Sequence, residues 1–515
     1  VLLRQFRPAL SDEVLDLRAE DGVITALAPS LAPHAGEEVH DAGGNLAIPG
    51  LWDHHVHVGQ TAHGYARLDT SGTPSVDEML RLVADALAGR PAAAGRNALV
   101  GFGHRLVDMA GEPTVAALDA TTPDHTPVVL IGGDAHHAWM NSAALSGLGL
   151  PARRGVVAED EWFDAVAHLD DLPGVAAGLE AGVEHLQRDA LARGVVGLTD
   201  MEWAENWRLW QRRTPRLRVR TATYTSDMDG VPGPTGSPVG DSGLVTMGPL
   251  KVIADGSLGS RSAYCRHPYA YSAETDAAFE DDARGYGVLS AYAADLAPVL
   301  ARGRELGLSP AVHAIGDAAV GVVLDAFDAA GVRGGRIEHA QLLADPDIAA
   351  MARLGVCASV QPAHLLDDRD PTTEVWPDDA ASSYRFRDLA SARVPMLFGS
   401  DSPVAPVDPW LAMAAAVHRS GDERPAWFPA QQLQPREALA ASTDGRGTML
   451  AVGAPADVVL VDGDPFADVP TGPDGLMDEH AAREAAARLR RTRVLATFVD
   501  GAIVAEAGRL TQHKR

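Results

Sequence analysis

The sequence predicts an α/β protein built on a TIM (β/α)8 barrel, and three observations carry that reading. Short apolar segments alternate with amphipathic stretches of helical period through the middle of the chain, the pattern of parallel βαβ units. Eight such segments are found: Leu51–His57, Val195–Thr199, Leu217–Tyr224, Leu250–Ile253, Ala311–His313, Arg336–His339, Val356–Val360 and Met396–Gly399. Histidines, a lysine and an aspartate fall at the C-terminal ends of several of them, where the side chains of a barrel converge.

The elements follow in order. Val14 to Leu27 alternates apolar and polar residues around Asp21-Gly22, a hairpin signal. Ala456–Asp462 and Val494–Val504 repeat that pattern near the other end, with a turn at Asp500-Gly501 and an alanine-rich charged helix, Asp478–Arg491, between them. Both ends are therefore expected to fold together as a small β-sandwich, residues 1–50 plus 441–515, beside a barrel over 51–440. Helices fit between the barrel strands at Ala291–Leu306, Ala318–Ala330 and Ala344–Leu354. Between the first two strands the chain runs from Gly59 to about Gly194, far too long for a loop. With a strand-like Thr126–Gly132 and a helix at Gly178–Ala192, this reads as an inserted subdomain, about 60–175, covering the barrel mouth.

Composition narrows the function. The chain has 515 residues, 46% of them hydrophobic, and a formal charge of −27. No basic patch stands out, which argues against a nucleic-acid or anionic-membrane partner. Cys265 and Cys357 are the only cysteines, no disulfide framework, and no stretch approaches a membrane span or a signal peptide. The expectation is a cytoplasmic enzyme acting on a small molecule; a homodimer is left open.

Lys251 stands out because the chain has only two lysines, the other being Lys514. A chain that otherwise uses arginine keeps an amine inside the apolar Gly248–Ala254. A buried lysine can lose its proton and act as a nucleophile, whereas arginine cannot; a carbamate formed with carbon dioxide would offer two oxygens to bridge metals. A snorkelling or salt-bridged lysine is the other reading. His55 and His57 sit two apart on the first strand and face one side, while His54 faces the other. His313, His339 and Asp401 end the fifth, sixth and eighth strands. Imidazole and carboxylate in one convergent set suit zinc.

The segments Pro49-Gly-Leu-Trp-Asp-His-His-Val-His57, Asp134-Ala-His-His-Ala-Trp-Met-Asn-Ser142, Leu250-Lys-Val-Ile-Ala-Asp-Gly-Ser-Leu-Gly-Ser-Arg261, His313-Ala-Ile-Gly-Asp317, Ile337-Glu-His-Ala340, Ser359-Val-Gln-Pro362 and Gly399-Ser-Asp-Ser-Pro403 together resemble the amidohydrolase superfamily. The likeness is to its amidohydrolase-3 branch, with the N-substituted formamide deformylase-like proteins, and covers nearly the whole chain. It implies a metal-dependent hydrolase of a non-peptide C–N bond, amide or N-formyl/N-acyl. His55 and His57 would be first-strand ligands, Lys251 a carbamylated bridge between two divalent ions, His313 and His339 further ligands, and Asp401 both ligand and catalytic acid–base. His136, His137, His104 and Gln361 are candidates for substrate contact, with a structural role equally open for His104 and His137. The sequence departs from the family at His54 and His137, where smaller residues are usual, and over Ser442–Leu450.

Three alternatives remain at this stage. A mononuclear deaminase would add a glutamate acid near the fifth- or sixth-strand histidine. Glu338 adjoins His339, but strand alternation should turn it away. An esterase or lactonase, and a non-catalytic regulatory protein on the same fold, are the others.

Overall fold

The computed structural model describes residues 1–90, 95–106, 109–122, 125–133, 137–203, 205–270, 285–290, 295–507 and 511–512. The chain divides into two compact units, Val1–His57 with Gln187–Arg515, and Val58–Leu186.

The first unit holds an eight-stranded sheet of parallel strands. In chain order they are Leu51–Val56, Val195–Asp200, Arg218–Tyr224, Val245–Ile253, Pro310–Ala314, Arg336–His339, Cys357–Val360 and Met396–Phe398. Each pairs with the next in sequence, as right-handed βα repetition requires. All eight sequence-predicted strands are present, within a few residues of their expected bounds. Asp317–Ala329 and Asp345–Leu354 are helices where expected. Leu296–Glu305 begins later than the Ala291 start read from the sequence, and residues 291–294 lie outside the described residues.

Closure of the barrel happens just past the eighth strand. Asp401 N donates to His55 O at 2.7 Å, and His57 N to Ser402 O at 2.9 Å. Gly399 permits this approach: a Cβ there would lie 2.8 Å from His55 N and 2.9 Å from His55 Cβ. The bonds that shut the barrel therefore fix the backbone of His55, His57 and Asp401.

Both chain ends meet in one nine-stranded sheet. The two hairpins read from the sequence are there: Leu15–Glu20 with Val23–Ala28, and Val494–Val499 with Ala502–Glu506, each pair antiparallel. Their turns take positive φ at both central residues, Asp21 (50°) and Gly22 (76°), Asp500 (52°) and Gly501 (78°), the geometry that matches strand twist in two-residue hairpins. Phe6, Leu17, Ile24, Val458, Leu460 and Phe498 form the core of this sheet. The separate two-layer sandwich expected of the ends is not confirmed, and this sheet falls in the same compact unit as the barrel.

The second unit is built on a five-stranded mixed sheet: Leu68–Asp69, Leu99–His104 and Val128–Gly132 run parallel, and His137–Met140 and Val157–Ala158 antiparallel to their neighbours. Two apolar clusters pack with it, one around Trp162 and one around Trp139. The helix Val76–Ala88 starts at Ser75, whose hydroxyl accepts from Glu78 N.

Candidate metal centre

The barrel brings together the groups that the sequence places at its strand ends. Strand register sets their depth: Lys251 lies opposite Tyr224 and Ala311, His313 opposite Ile253, and His339 opposite Ala314. The rings of His55 and His57 are 5.5 Å apart, those of His55 and His339 5.0 Å, and those of His313 and His339 4.5 Å. Asp401 Oδ1 lies 3.4 Å from Nε2 of both His55 and His57. Lys251 Nζ lies 3.2 Å from His55 Nε2. Ligand atoms of His55, His57 and Asp401 all fall within 4.8 Å of one another, a spacing that could hold a metal ion.

Hydrogen bonds fix which nitrogen three of these histidines present. His55 Nδ1 meets Glu338 Oε2 at 2.8 Å, His313 Nε2 meets Gly256 O at 3.1 Å, and His339 Nδ1 meets Gln361 Oε1 at 2.9 Å. Each acceptor takes the ring N–H, so the lone pair sits on the other nitrogen. That is the tautomer a metal ligand needs. The donor set thus fits a divalent cation: four imidazoles, three of them with an assigned lone pair, one carboxylate and one amine.

The electrostatics agree. Burial and the nearby Lys251 push His55 down to about 4, so its ring is neutral. Burial also takes His339 well below the usual imidazole range, helped by His313. Lys251, 2% exposed, is lowered to about 8 by burial, against the pull of Glu338 and Asp401. Burial alone would raise Asp401, but the neighbouring His55, a bond from His57 and the nearby His339 outweigh it and hold the carboxyl well below the usual range. Glu338 behaves alike: burial opposes ionisation, and Arg336, His55 and Lys251 overcome it.

One sequence expectation needs correction, and the other singled-out residues fall in different places. Glu338 does not face away from the site. It and His339 both reach His55, because His339 has φ +72° and Ala340 φ +44°, which breaks strand alternation at this point. Asp401 is also left-handed, at φ +54°. Such residues cost about 1–3 kcal/mol each and concentrate at functional sites. Gln361, expected to touch substrate, is 2% exposed and holds His339, with its amide nitrogen on Ser359 O at 3.4 Å. His54 does face the other way, stacked on Trp52 and 3.9 Å from Asp444. His104 and His137 belong to the other compact unit, where their Nε2 atoms are 3.3 Å apart. His136 lies outside the described residues.

Two contributors escaped the sequence reading. His364 follows the seventh strand, its Nε2 meets Ser400 O at 3.1 Å, and it is among the groups that hold Asp401 low. The signal was a histidine three residues past Gln361. Asp53, raised to about 7 chiefly by burial, accepts from Ser400 N and His55 N and so ties the eighth strand to the first.

The amidohydrolase family profile matches residues 38–505. The chain belongs to the amidohydrolase family. Among its relatives in that family's neighbourhood, the N-substituted formamide deformylase of Arthrobacter pascens is 23% identical over 544 residues, across 94% of this chain and 92% of that one. The protein LONG AFTER FAR-RED 3 of Arabidopsis thaliana is 28% identical over 447 residues, 78% of this chain and 73% of that one. An uncharacterized metal-dependent hydrolase from Pyrococcus furiosus has the same fold, with a TM-score of 0.74 and 26% identity over 90% of this chain and 99% of that one. The amidohydrolase fold here is the TIM barrel, and the chemistry of the family is hydrolysis. Among the described residues, no helix is long and apolar enough to cross a membrane.

Proposed function

We propose that this amidohydrolase cleaves a non-peptide C–N bond, an amide of the N-formyl or N-acyl type, with two divalent ions, zinc being the best match to the donors. The observation that carries the reading is Lys251: an amine buried beside His55 and pulled to about 8, among four histidines and Asp401. An amine poised to lose its proton near neutrality can attack carbon dioxide and become a carbamate, whose two oxygens would serve two ions. His55, His57 and Asp401 would hold one, His313 and His339 the other, with modified Lys251 between them. The ions, when bound, supply acidified water and polarisation of the substrate carbonyl.

The chain supplies the proton path. Asp401 is ionised well below neutral pH, so it begins as an acceptor. It takes the proton of the attacking water as the C–O bond forms. It returns that proton to the amide nitrogen as the C–N bond breaks, since an amine leaves poorly without one. The name of the Arthrobacter relative, an N-substituted formamide deformylase, supports this bond type. The deaminase alternative needs a glutamate free to donate, and Glu338 is engaged by His55 and Arg336. A panel of N-acyl amides, cyclic amides, lactones and aminated heterocycles, assayed with zinc-loaded protein, tests the reading. Ammonia release from a ring amidine without amide turnover would overturn it.

A further inference from the structure

We infer that Glu338 is a positioning residue for the metal centre: with Arg336 behind it, it locks His55 in the Nδ1–H form, so that Nε2 points into the site. The inference rests on the reading of His55 as a ligand, and adds a role that strand alternation would have denied to Glu338.

Four observations carry it. Glu338 is 0% exposed, yet its two carboxylate oxygens are each committed. Oε2 lies 2.8 Å from His55 Nδ1. Oε1 lies 2.6 Å from Arg336 Nε, a charge pair without the angles of a hydrogen bond. On the far side of the same ring, Nε2 faces Lys251 Nζ at 3.2 Å and Asp401 Oδ1 at 3.4 Å. A carboxylate can only accept, so Nδ1 must carry the ring proton and Nε2 the lone pair. The left-handed backbone at His339 makes this arrangement possible: Glu338 follows the strand inward, and the turn still brings the next side chain back to the same ring. Arg336, 8% exposed and on the same strand, keeps the buried carboxylate compensated. Partners of this kind on a ligating histidine are worth roughly 10–100-fold in metal affinity.

The test is Glu338→Gln, which keeps the shape but can donate as well as accept. Because it leaves Arg336 buried without its anion, the double variant Arg336→Met/Glu338→Gln is made beside it, removing both charges together. Two readouts are taken on metal-free and zinc-titrated protein: the His55 tautomer, from 15N shifts of histidine-labelled chain assigned with His55→Gln, and zinc affinity by competition with a chromophoric chelator. The expected result is a pure Nδ1–H form in the wild type, a mixed population in both variants, and zinc affinity lower by about 10–100-fold. Unchanged tautomer with weaker zinc would make Glu338 a packing residue and overturn the inference. So would wild-type affinity in both variants. If the wild type binds no zinc at all, the proposed function fails, while the tautomer readout still decides the role of Glu338.

Discussion

The candidate centre has two halves that are built differently. His55, His57 and Asp401 cluster around shared contacts of 3.4 Å, with Lys251 against His55. Their backbone is pinned by the bonds that close the barrel, and His55 is held from behind by a buried charge pair. His313 and His339 stand face to edge at 4.5 Å, and the acceptors at hydrogen-bond distance are neutral, a backbone carbonyl and an amide, with the Asp255 carboxylate farther off, 3.4 Å from His313 Nε2. A charged acceptor makes a stronger bond and a more basic imidazole than a neutral one. The first half should therefore be the tighter site, and Lys251 the group that makes the two halves one.

Removing that group is the largest way to break the comparison. Wild type prepared with zinc and bicarbonate should carry about two ions per chain by elemental analysis. Lys251→Ala should lose metal and fall to background amide turnover, with a short-chain carboxylic acid restoring part of both. Lys251→Arg should not recover, since a guanidinium forms no carbamate and repels cations. A full complement of metal in Lys251→Ala would show that the halves fill independently of the lysine.

Asp401 sits in the first half but is asked to move a proton as well. Asp401→Asn should lower amide cleavage by about 10²–10⁴-fold, the range for general acid–base groups, and hydrolysis of an activated ester by less. Steady-state rates on a matched amide–ester pair measure this. Equal losses would make Asp401 a ligand or a base for attack, with no part in protonating the leaving group.

The two halves were unequally legible in the sequence. A His-x-His pair on a strand is a local pattern, and period-two geometry alone places both rings on one side. His313, His339 and Asp401 became readable only once the eight-strand count suggested convergence at one barrel end. What supports them was hidden, because it depends on backbone φ rather than on residue type. Glu338 was assigned outward from strand alternation, and His339 at φ +72° undoes that rule. Gln361 was read as a candidate for substrate contact, and only its 2.9 Å bond to His339 shows its other use. The terminal hairpins were plain, since Asp-Gly turns state their geometry locally.

The charge of Lys251 gives a third separation, because the second half has no amine to match it. Its folded value of about 8 lies below the 10.5 of an ordinary lysine. Between those limits the unfolded chain binds more protons than the folded one, so stability rises with pH. Below about 8 the cost of burying the charge is fully present; above 10.5 it is gone. The span amounts to about 3 kcal/mol. Denaturant titrations of metal-free protein in carbon-dioxide-free buffer should show wild type gaining on Lys251→Met across that window. Parallel curves would mean that the amine is solvated when the site is empty of metal.

The smallest expected effect tests the neutral anchor. Gln361→Met keeps the volume and removes the acceptor for His339 Nδ1, so that ring is free to place its proton on either nitrogen. Because the lost bond joins two neutral groups, the loss should fall at or below about 10-fold in metal affinity, the low end for such partners. It should appear in the weaker of the two binding steps, the one assigned to His313 and His339. Chelator competition resolved into two steps measures it, with Glu338→Gln as the counterpart for the tighter step. If Gln361→Met weakens the tight step instead, the halves are coupled through the 5.0 Å contact of His339 with His55, and the division into a charged and a neutral half does not govern affinity.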